Sequence, residues 1–164
     1  MKLSNNLIAI LSLLLFQWVP VMAADETSTN HKLPATIILL SKADKFYGPT
    51  PGETGATPVQ KAYLEATGNV GSLETEDLNW LLKKGSPAGR IYAAVLFWQT
   101  GRVGTNKSFA LLTSDNSAVE YQDGCKVMGS KVSEIAKSLI DSQKFMNFQL
   151  GSMFCKMKSP VDPN

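Results

Sequence analysis

The chain has 164 residues, of which 44% are hydrophobic, with 16 basic and 14 acidic side chains and a formal net charge of +2. The lysines are scattered and the charges nearly balance, so no strong electrostatic field is expected. Nucleic acid and acidic membrane surfaces are therefore not expected as partners. The length suits one domain with a buried core.

The N-terminus has the three-part pattern of a secretory signal. Lys2 supplies a positive charge, residues 7–21 are almost wholly apolar, and Ala23 offers a small residue at the exit. We expect cleavage after Ala23, with Ala24 as the second choice. An uncleaved membrane anchor is the alternative, but the apolar run is short and Pro20 interrupts it.

Past residue 23, no apolar run is long enough to span a membrane, since the longest covers only residues 91–98. The mature protein is therefore expected to be extracytoplasmic, either periplasmic or secreted, with no transmembrane segment after signal cleavage. Its partner is expected to be an unknown protein or envelope component.

The chain contains two cysteines, Cys125 and Cys155. In an oxidising compartment they are expected to form a disulfide. The bond would close a loop of about 30 residues, for which the chain-entropy estimate is roughly 3–4 kcal/mol. Two free thiols or a metal pair are the alternatives. His31 is the only histidine, so a metal site is not expected.

Composition divides the mature chain into three parts. Residues 24–34 are polar and read as a flexible lead-in. Residues 35–158 are expected to form a single helical domain, and residues 159–164 a disordered C-terminal tail. Residues 36–47 are ambiguous: their first half could be a strand, but the spacing of the apolar residues favours a helix.

The sequence predicts four helices between residues 57 and 113. Thr57 and Pro58 form a cap and first-turn pair for a helix that Gly68 stops. The next helix spans about 74–84, with acidic residues at its start and lysines at its end. The third begins after Ser86 and runs to about Gln99. It is apolar nearly all round and should be the central helix. A fourth is expected over about 106–113.

The periodicity then changes to that of a β-hairpin. Residues 118–122 alternate between apolar and polar side chains, and Asp123-Gly124 predicts a two-residue turn. Residues 125–128 are then expected to form the returning strand. Ser130 is expected to cap a further helix with an apolar stripe over residues 132–140. Residues 143–158 carry no clear pattern. The prediction is a mainly α, compact domain of short helices with one small β-hairpin, and stacked helix pairs are one possible arrangement.

Motifs for catalysis are incomplete. Gly101, Lys107 and Ser108 have the spacing of a phosphate-binding loop, but Asn106 stands where its second glycine belongs. His31 is the only candidate base for a serine or cysteine nucleophile, and it lies in the lead-in. We therefore expect no catalytic triad and no cofactor.

Carboxylate chemistry is harder to exclude. Glu53 lies in a Gly/Pro-rich loop and Glu120 on the hairpin, and neither has an obvious structural role. Arg90 falls in the most apolar helix, where it is locally paired, reaches solvent, or anchors an interface. Trp80 and Trp98 fit core positions, but if exposed they would be interaction residues.

Three segments carry a resemblance to known proteins. They are the stretch 86–96, the pair Gly124-Cys125, and the helix over residues 132–136. The region from 57 to 142 resembles a group of small exported bacterial proteins of unassigned function. This resemblance implies a bacterial, extracytoplasmic helical domain, and it implies no catalytic residues.

The leading functional hypothesis is an exported, non-enzymatic binding or interaction protein, because catalytic side chains are few in a well-patterned helical chain. The alternative is a carboxylate-dependent hydrolase acting on cell-wall or other polysaccharide, which would need two carboxylates across a cleft. A small-ligand carrier with an enclosed apolar cavity is the third hypothesis.

Overall fold

A computed structural model describes residues 32–52, 54–102 and 105–151 of the chain. The predicted signal over 1–23, most of the predicted lead-in, Cys155 and the C-terminal tail lie outside the described residues. Within the described ranges, no helix is both long and apolar enough to cross a membrane.

Helices make up most of the described chain, and a small sheet completes it. The described residues form six α-helices: α1 Ala35–Ser41, α2 Pro58–Gly68, α3 Thr75–Lys84, α4 Pro87–Gln99, α5 Thr105–Phe109 and α6 Val132–Ser142. The strands are β1 Lys45–Tyr47, β2 Ala118–Asp123, β3 Lys126–Lys131, β4 Lys144–Phe145 and β5 Phe148–Gln149. Single 3₁₀ turns follow α2 and α5.

Helix α4 is the central helix, as its sequence predicts. The Ser86 hydroxyl caps it by accepting a hydrogen bond from the Gly89 amide at 3.0 Å, and Pro87 occupies the first turn. Every residue from Ala88 to Phe97 is buried except Arg90. Helices α3 and α1, strand β1 and helix α6 all pack around α4.

Strand β2 lies in the middle of a three-stranded sheet, between β1 and β3. β1 pairs with β2 in parallel, with Phe46 opposite Tyr121. β2 and β3 form the predicted antiparallel hairpin, with Asp123 opposite Lys126. Among the strands that the structure describes, only β2 therefore has neighbours on both sides in this sheet.

An aromatic cluster joins the sheet to the helices. The Phe46 ring lies 5.2 Å from Tyr92 and 4.7 Å from Phe148, and Tyr63 lies 5.0 Å from Tyr92. The Tyr92 hydroxyl also accepts a hydrogen bond from the Tyr47 amide at 2.8 Å. Burial raises the pKa of Tyr92 well above its usual value, so its phenol stays neutral.

The structure corrects the sequence-based assignment at both ends of the domain. Residues 36–47 are not one helix, because α1 ends at Ser41 and the chain extends into β1. Residues 143–151, which carried no clear pattern, form a small hairpin of β4 and β5. Positive φ angles at Gln143 and Met146 provide its sharp bends.

Two local predictions near the main hairpin were also wrong by about one residue. The turn residues are Gly124 and Cys125, and Asp123 belongs to β2. Gly124 has φ of 58°, which suits the first central position of a tight two-residue turn. The residue before α6 is Lys131, and its amide donates to Glu134 at 3.1 Å. The Ser130 hydroxyl also donates to Glu134, at 2.9 Å.

Candidate functional site

Arg90 forms a network within the chain. Its guanidinium makes an ion pair with Asp115 at 2.8 Å and donates to the Ser117 hydroxyl at 3.0 Å and the Gly85 carbonyl at 3.1 Å. The network joins the start of α4 to the loop before β2. The structure thus supports local pairing of Arg90, and its contact with a partner stays a prediction.

Trp80 and Trp98 are both half-buried and pack against the hydrophobic core. A Cβ placed on Gly151 would lie 3.4 Å from the Trp98 ring, so the end of the described chain passes close to that indole. The two tryptophans therefore resemble residues at the border of the hydrophobic core more than exposed aromatic residues that surround a ligand. Their proposed role in an interaction stays a prediction.

Cys125 lies at the tip of the β2–β3 hairpin and is exposed. Cys155, its predicted disulfide partner, lies outside the described residues. The position at a solvent-facing turn leaves room for a bond from another segment of the chain. The disulfide itself stays a prediction.

An open cleft of about 440 Å³ surrounds the hairpin turn. It lies between the loop after β1, the turn of the hairpin and the β4–β5 turn. Its lining residues are Thr50, Pro51, Gly52, Asp123, Gly124, Cys125, Lys126 and Asn147.

Asp123 is the carboxylate of this cleft, and its contacts hold three segments together. It is 8% exposed and accepts hydrogen bonds from the Thr50 amide at 3.0 Å and the Asn147 side-chain amide at 2.5 Å. Burial by itself raises the pKa of Asp123, but the hydrogen bonds from Asn147 and Thr50 outweigh it and leave the pKa below its usual value. The group is therefore ionised at neutral pH and acts as an acceptor.

The backbone at Gly48 packs closely against this carboxylate. A Cβ on Gly48 would lie 2.5 Å from the Tyr121 hydroxyl oxygen and 2.7 Å from an Asp123 carboxylate oxygen, so a larger residue would not fit. Burial, aided by the charge of Asp123, raises the pKa of Tyr121 to about 12. The phenol therefore stays neutral, and neither group is poised near neutral pH for proton transfer.

The carboxylates singled out from the sequence do not meet in the cleft. Glu120 pairs with Lys45 across β2 and β1 at 3.2 Å. Glu53 lies outside the described residues. Among the described residues that line the cleft, Asp123 is the only carboxylate. In the described ranges, no three histidine, cysteine, aspartate or glutamate side chains are grouped so that they could hold a metal ion.

Strand β3 is the most exposed strand of the sheet. We call residues 126–131 the β3 edge. Five of its six residues are exposed, and they include Val127 at 48% and Met128 at 45%. Because neighbouring side chains of a strand point to opposite faces, both faces of the β3 edge present apolar surface to solvent.

The backbone of the β3 edge also has an open side. In a hairpin with two turn residues, Asp123 and Lys126 form a hydrogen-bonded pair, so the polar groups of residues 127, 129 and 131 point away from β2. Two contacts agree with this alternation. The Lys131 amide donates outward to Glu134, and the Gln122 carbonyl, opposite Val127, accepts from Gly48 on the β1 side at 2.7 Å. No further strand pairs with β3 among the described residues.

This surface was not predicted from the sequence. The predicted returning strand covered residues 125–128 and had no function assigned to it. The missed signal is the adjacent pair Val127-Met128, followed by Gly129 and bounded by Lys126 and Lys131. Consecutive apolar residues break the alternation that a half-buried strand shows, and lysines are typical of exposed sheet edges.

Comparisons with known proteins assign no family. No protein-family model matches the chain, and no curated protein matches it significantly. The resemblance to small exported bacterial proteins therefore stays a prediction.

Proposed function

We propose that the protein is an exported, non-enzymatic binding module that recognises a partner protein through the β3 edge. The observation that carries the proposal is the exposure of Val127 and Met128 on opposite faces of a strand whose outer side is unpaired in the described chain. Apolar surface and open backbone groups at one sheet edge are the features that strand-recognising proteins use.

Further support comes from the other polar groups. Arg90 and Asp115 pair with each other, and Asp123 joins three segments. Glu120 pairs with Lys45. These side chains perform structural work, which fits a rigid scaffold that presents a surface more closely than a reaction centre.

The polysaccharide hydrolase is the weaker proposal. A glycosidase places two carboxyl groups about 5–10 Å apart across the bond that it cleaves. Within the part of the chain that the structure describes, the cleft lining contains one carboxylate, Asp123, and it accepts hydrogen bonds from its own chain. Glu53, which follows Gly52 of the cleft lining in the sequence, is the residue on which the alternative would have to rely.

The test uses the mature protein, beginning at Ala24, immobilised and exposed to envelope extract. We expect Val127→Lys and Met128→Lys each to reduce capture of the same partner at least tenfold. The matched control is Leu111→Lys, because Leu111 is a 68% exposed apolar residue outside the β3 edge. It should retain full capture.

The proposal fails if the wild-type protein captures no partner, or if the two β3 substitutions leave capture unchanged. Release of soluble sugar from cell-wall material by the purified protein, abolished by Glu53→Gln, would replace it with the hydrolase. Circular dichroism of each variant should confirm that the fold is retained.

A further inference from the structure

We propose that the β3 edge binds an extended peptide segment of the partner as an additional strand, and that this segment carries acidic residues near its ends. This inference rests on the proposed function and specifies its ligand. The segment has apolar residues at alternate positions and runs alongside residues 126–131.

The first argument is the hydrogen-bonding potential of the backbone. The amide and carbonyl groups of Val127 and Gly129 point away from β2. A peptide in extended conformation can pair with all four groups, as a neighbouring strand would. A Cβ on Gly129 would meet nothing within 4 Å, so the face of the sheet to which residue 129 points is also uncovered at this position.

The second argument is the apolar surface beside those groups. Met128 lies opposite Tyr121 on the face that points to the core, yet it is nearly half exposed. The Tyr121 ring in turn contacts Phe145 at 5.3 Å between centroids. At β3, the face of the sheet that points to the core is therefore only partly covered by the rest of the described chain. An added strand could place an apolar side chain against this uncovered part.

The third argument is charge. Lys126 and Lys131 are both exposed and stand at the two ends of the β3 edge. Five residue steps of a strand separate them by about 17 Å. A bound segment of six or seven residues with an acidic residue near each end would place opposite charges beside both lysines.

The same lysines disfavour a second copy of this chain as the occupant. The β3 edge itself contains no acidic residue. A second β3 edge therefore offers no opposite charge to Lys126 or Lys131, whereas a peptide with acidic ends offers one to each.

The probes are capped eight-residue peptides that alternate valine and threonine between acidic ends. One comparison peptide has lysine ends, and a second has acidic ends but N-methylated amides on the side that would face β3. We expect fluorescence anisotropy to show binding of the acidic peptide at least tenfold tighter than either comparison peptide. The salt dependence of binding should follow the two ion pairs.

Hydrogen exchange locates the contact residue by residue. The acidic peptide should slow exchange at the Val127 and Gly129 amides, which point outward. The Met128 amide already faces β2 and should change little. Uniform protection along β3, or protection elsewhere on the protein, would contradict strand addition.

A variant in which both lysines are replaced by glutamate tests the same charge requirement from the side of the protein. Lys126→Glu with Lys131→Glu should reverse the preference, so that the lysine-ended peptide binds more tightly. Lys42→Glu with Lys61→Glu changes the charge equally at two exposed positions, one directly after α1 and one on α2, and should leave the preference unchanged. If the charge-reversed protein does not fold, the three peptides on the wild-type protein still decide the outcome.

The outcomes separate this inference from the proposed function. If edge substitutions abolish partner capture but N-methylation does not weaken peptide binding, the binding module stands and strand addition is wrong. Equal binding of acidic and basic peptides overturns the charge requirement. A dimer in light scattering that Val127→Lys dissociates would make a second copy the occupant. Protection of Val127 and Gly129 before any peptide is added would make it a segment of this chain.

Discussion

Asp123 and Arg90 show how single charged residues hold the loops of this domain in place. Arg90 connects the start of α4 with the loop before β2, and Asp123 connects the loop after β1 with the β4–β5 turn. Both lie where irregular backbone meets a helix or strand. Charge-assisted hydrogen bonds are suited to such places because each contributes more than a neutral one.

The Asp123 contacts predict a specific dependence of stability on pH. The folded pKa lies below the ordinary value of 3.8, so the ionised form stabilises the fold above that pH. The contribution is lost as the pH falls through the folded pKa. We expect Asp123→Asn to lower the free energy of unfolding by about 2 kcal/mol at pH 7. The difference from wild type should shrink below about pH 4.

Urea unfolding from pH 7 to pH 2.5 measures this effect. Asp141→Asn is the control, because Asp141 is exposed on α6 and its substitution should change the free energy by less than about 0.5 kcal/mol at pH 7. A deficit of Asp123→Asn that is the same at pH 7 and pH 2.5 would show that the charge of Asp123 does not contribute.

At the scale of elements, caps were the most reliable sequence signals. Thr57 and Gln60 form a reciprocal capping box with Pro58 in the first turn, and Ser86 caps α4 as expected. These signals are local: a cap needs only its own first turn. For that reason the starts of α2 and α4 were predicted at their true positions.

Elements that depend on distant partners could not be predicted in the same way. Strand β1 has three residues and exists because Phe46 pairs with Tyr121, which lies 75 positions later (121 − 46). The β4–β5 hairpin depends on burial of Phe148 against Phe46. The β3 edge was not predicted for the same reason. β3 lies at the edge of the sheet because the other side of β2 pairs with the distant strand β1.

Helix α4 meets α1 at a glycine, and that contact gives a prediction for the packing of elements. A Cβ on Gly89 would lie 2.6 Å from the Leu40 carbonyl oxygen, a backbone atom of α1. Gly89→Ala should therefore push α1 away and lower the free energy of unfolding by about 1–3 kcal/mol, despite the better helix propensity of alanine.

The matched control is Gly68→Ala at the end of α2, where a Cβ would meet nothing within 4 Å. This change should be neutral or stabilise the protein by up to about 1 kcal/mol. Thermal and urea unfolding of both variants check the pair. If Gly89→Ala proved as stable as wild type, the close packing of α1 on α4 would be refuted.

For the molecule as a whole, the packed hydrophobic core and the exposed apolar residues of β3 lie at different places. The helices and the aromatic cluster bury their apolar residues around α4, whereas β3 leaves Val127 and Met128 in solvent at the border of the sheet. Exposed apolar edges promote unwanted pairing, and proteins normally suppress them. Such an edge, with lysines at both ends, would suit the selective binding surface that we propose.

The proposed disulfide would attach the C-terminal part of the chain beside this same edge, because Cys125 lies in the turn directly before β3. We expect the exported protein to carry the Cys125–Cys155 bond and to lose roughly 3–4 kcal/mol of stability on reduction. Mass spectrometry of a non-reduced digest should show the two cysteine peptides linked. Cys155→Ser should behave like the reduced protein, and the reductant should then have no further effect. A digest that shows both thiols free in protein recovered from outside the cytoplasm would refute the bond.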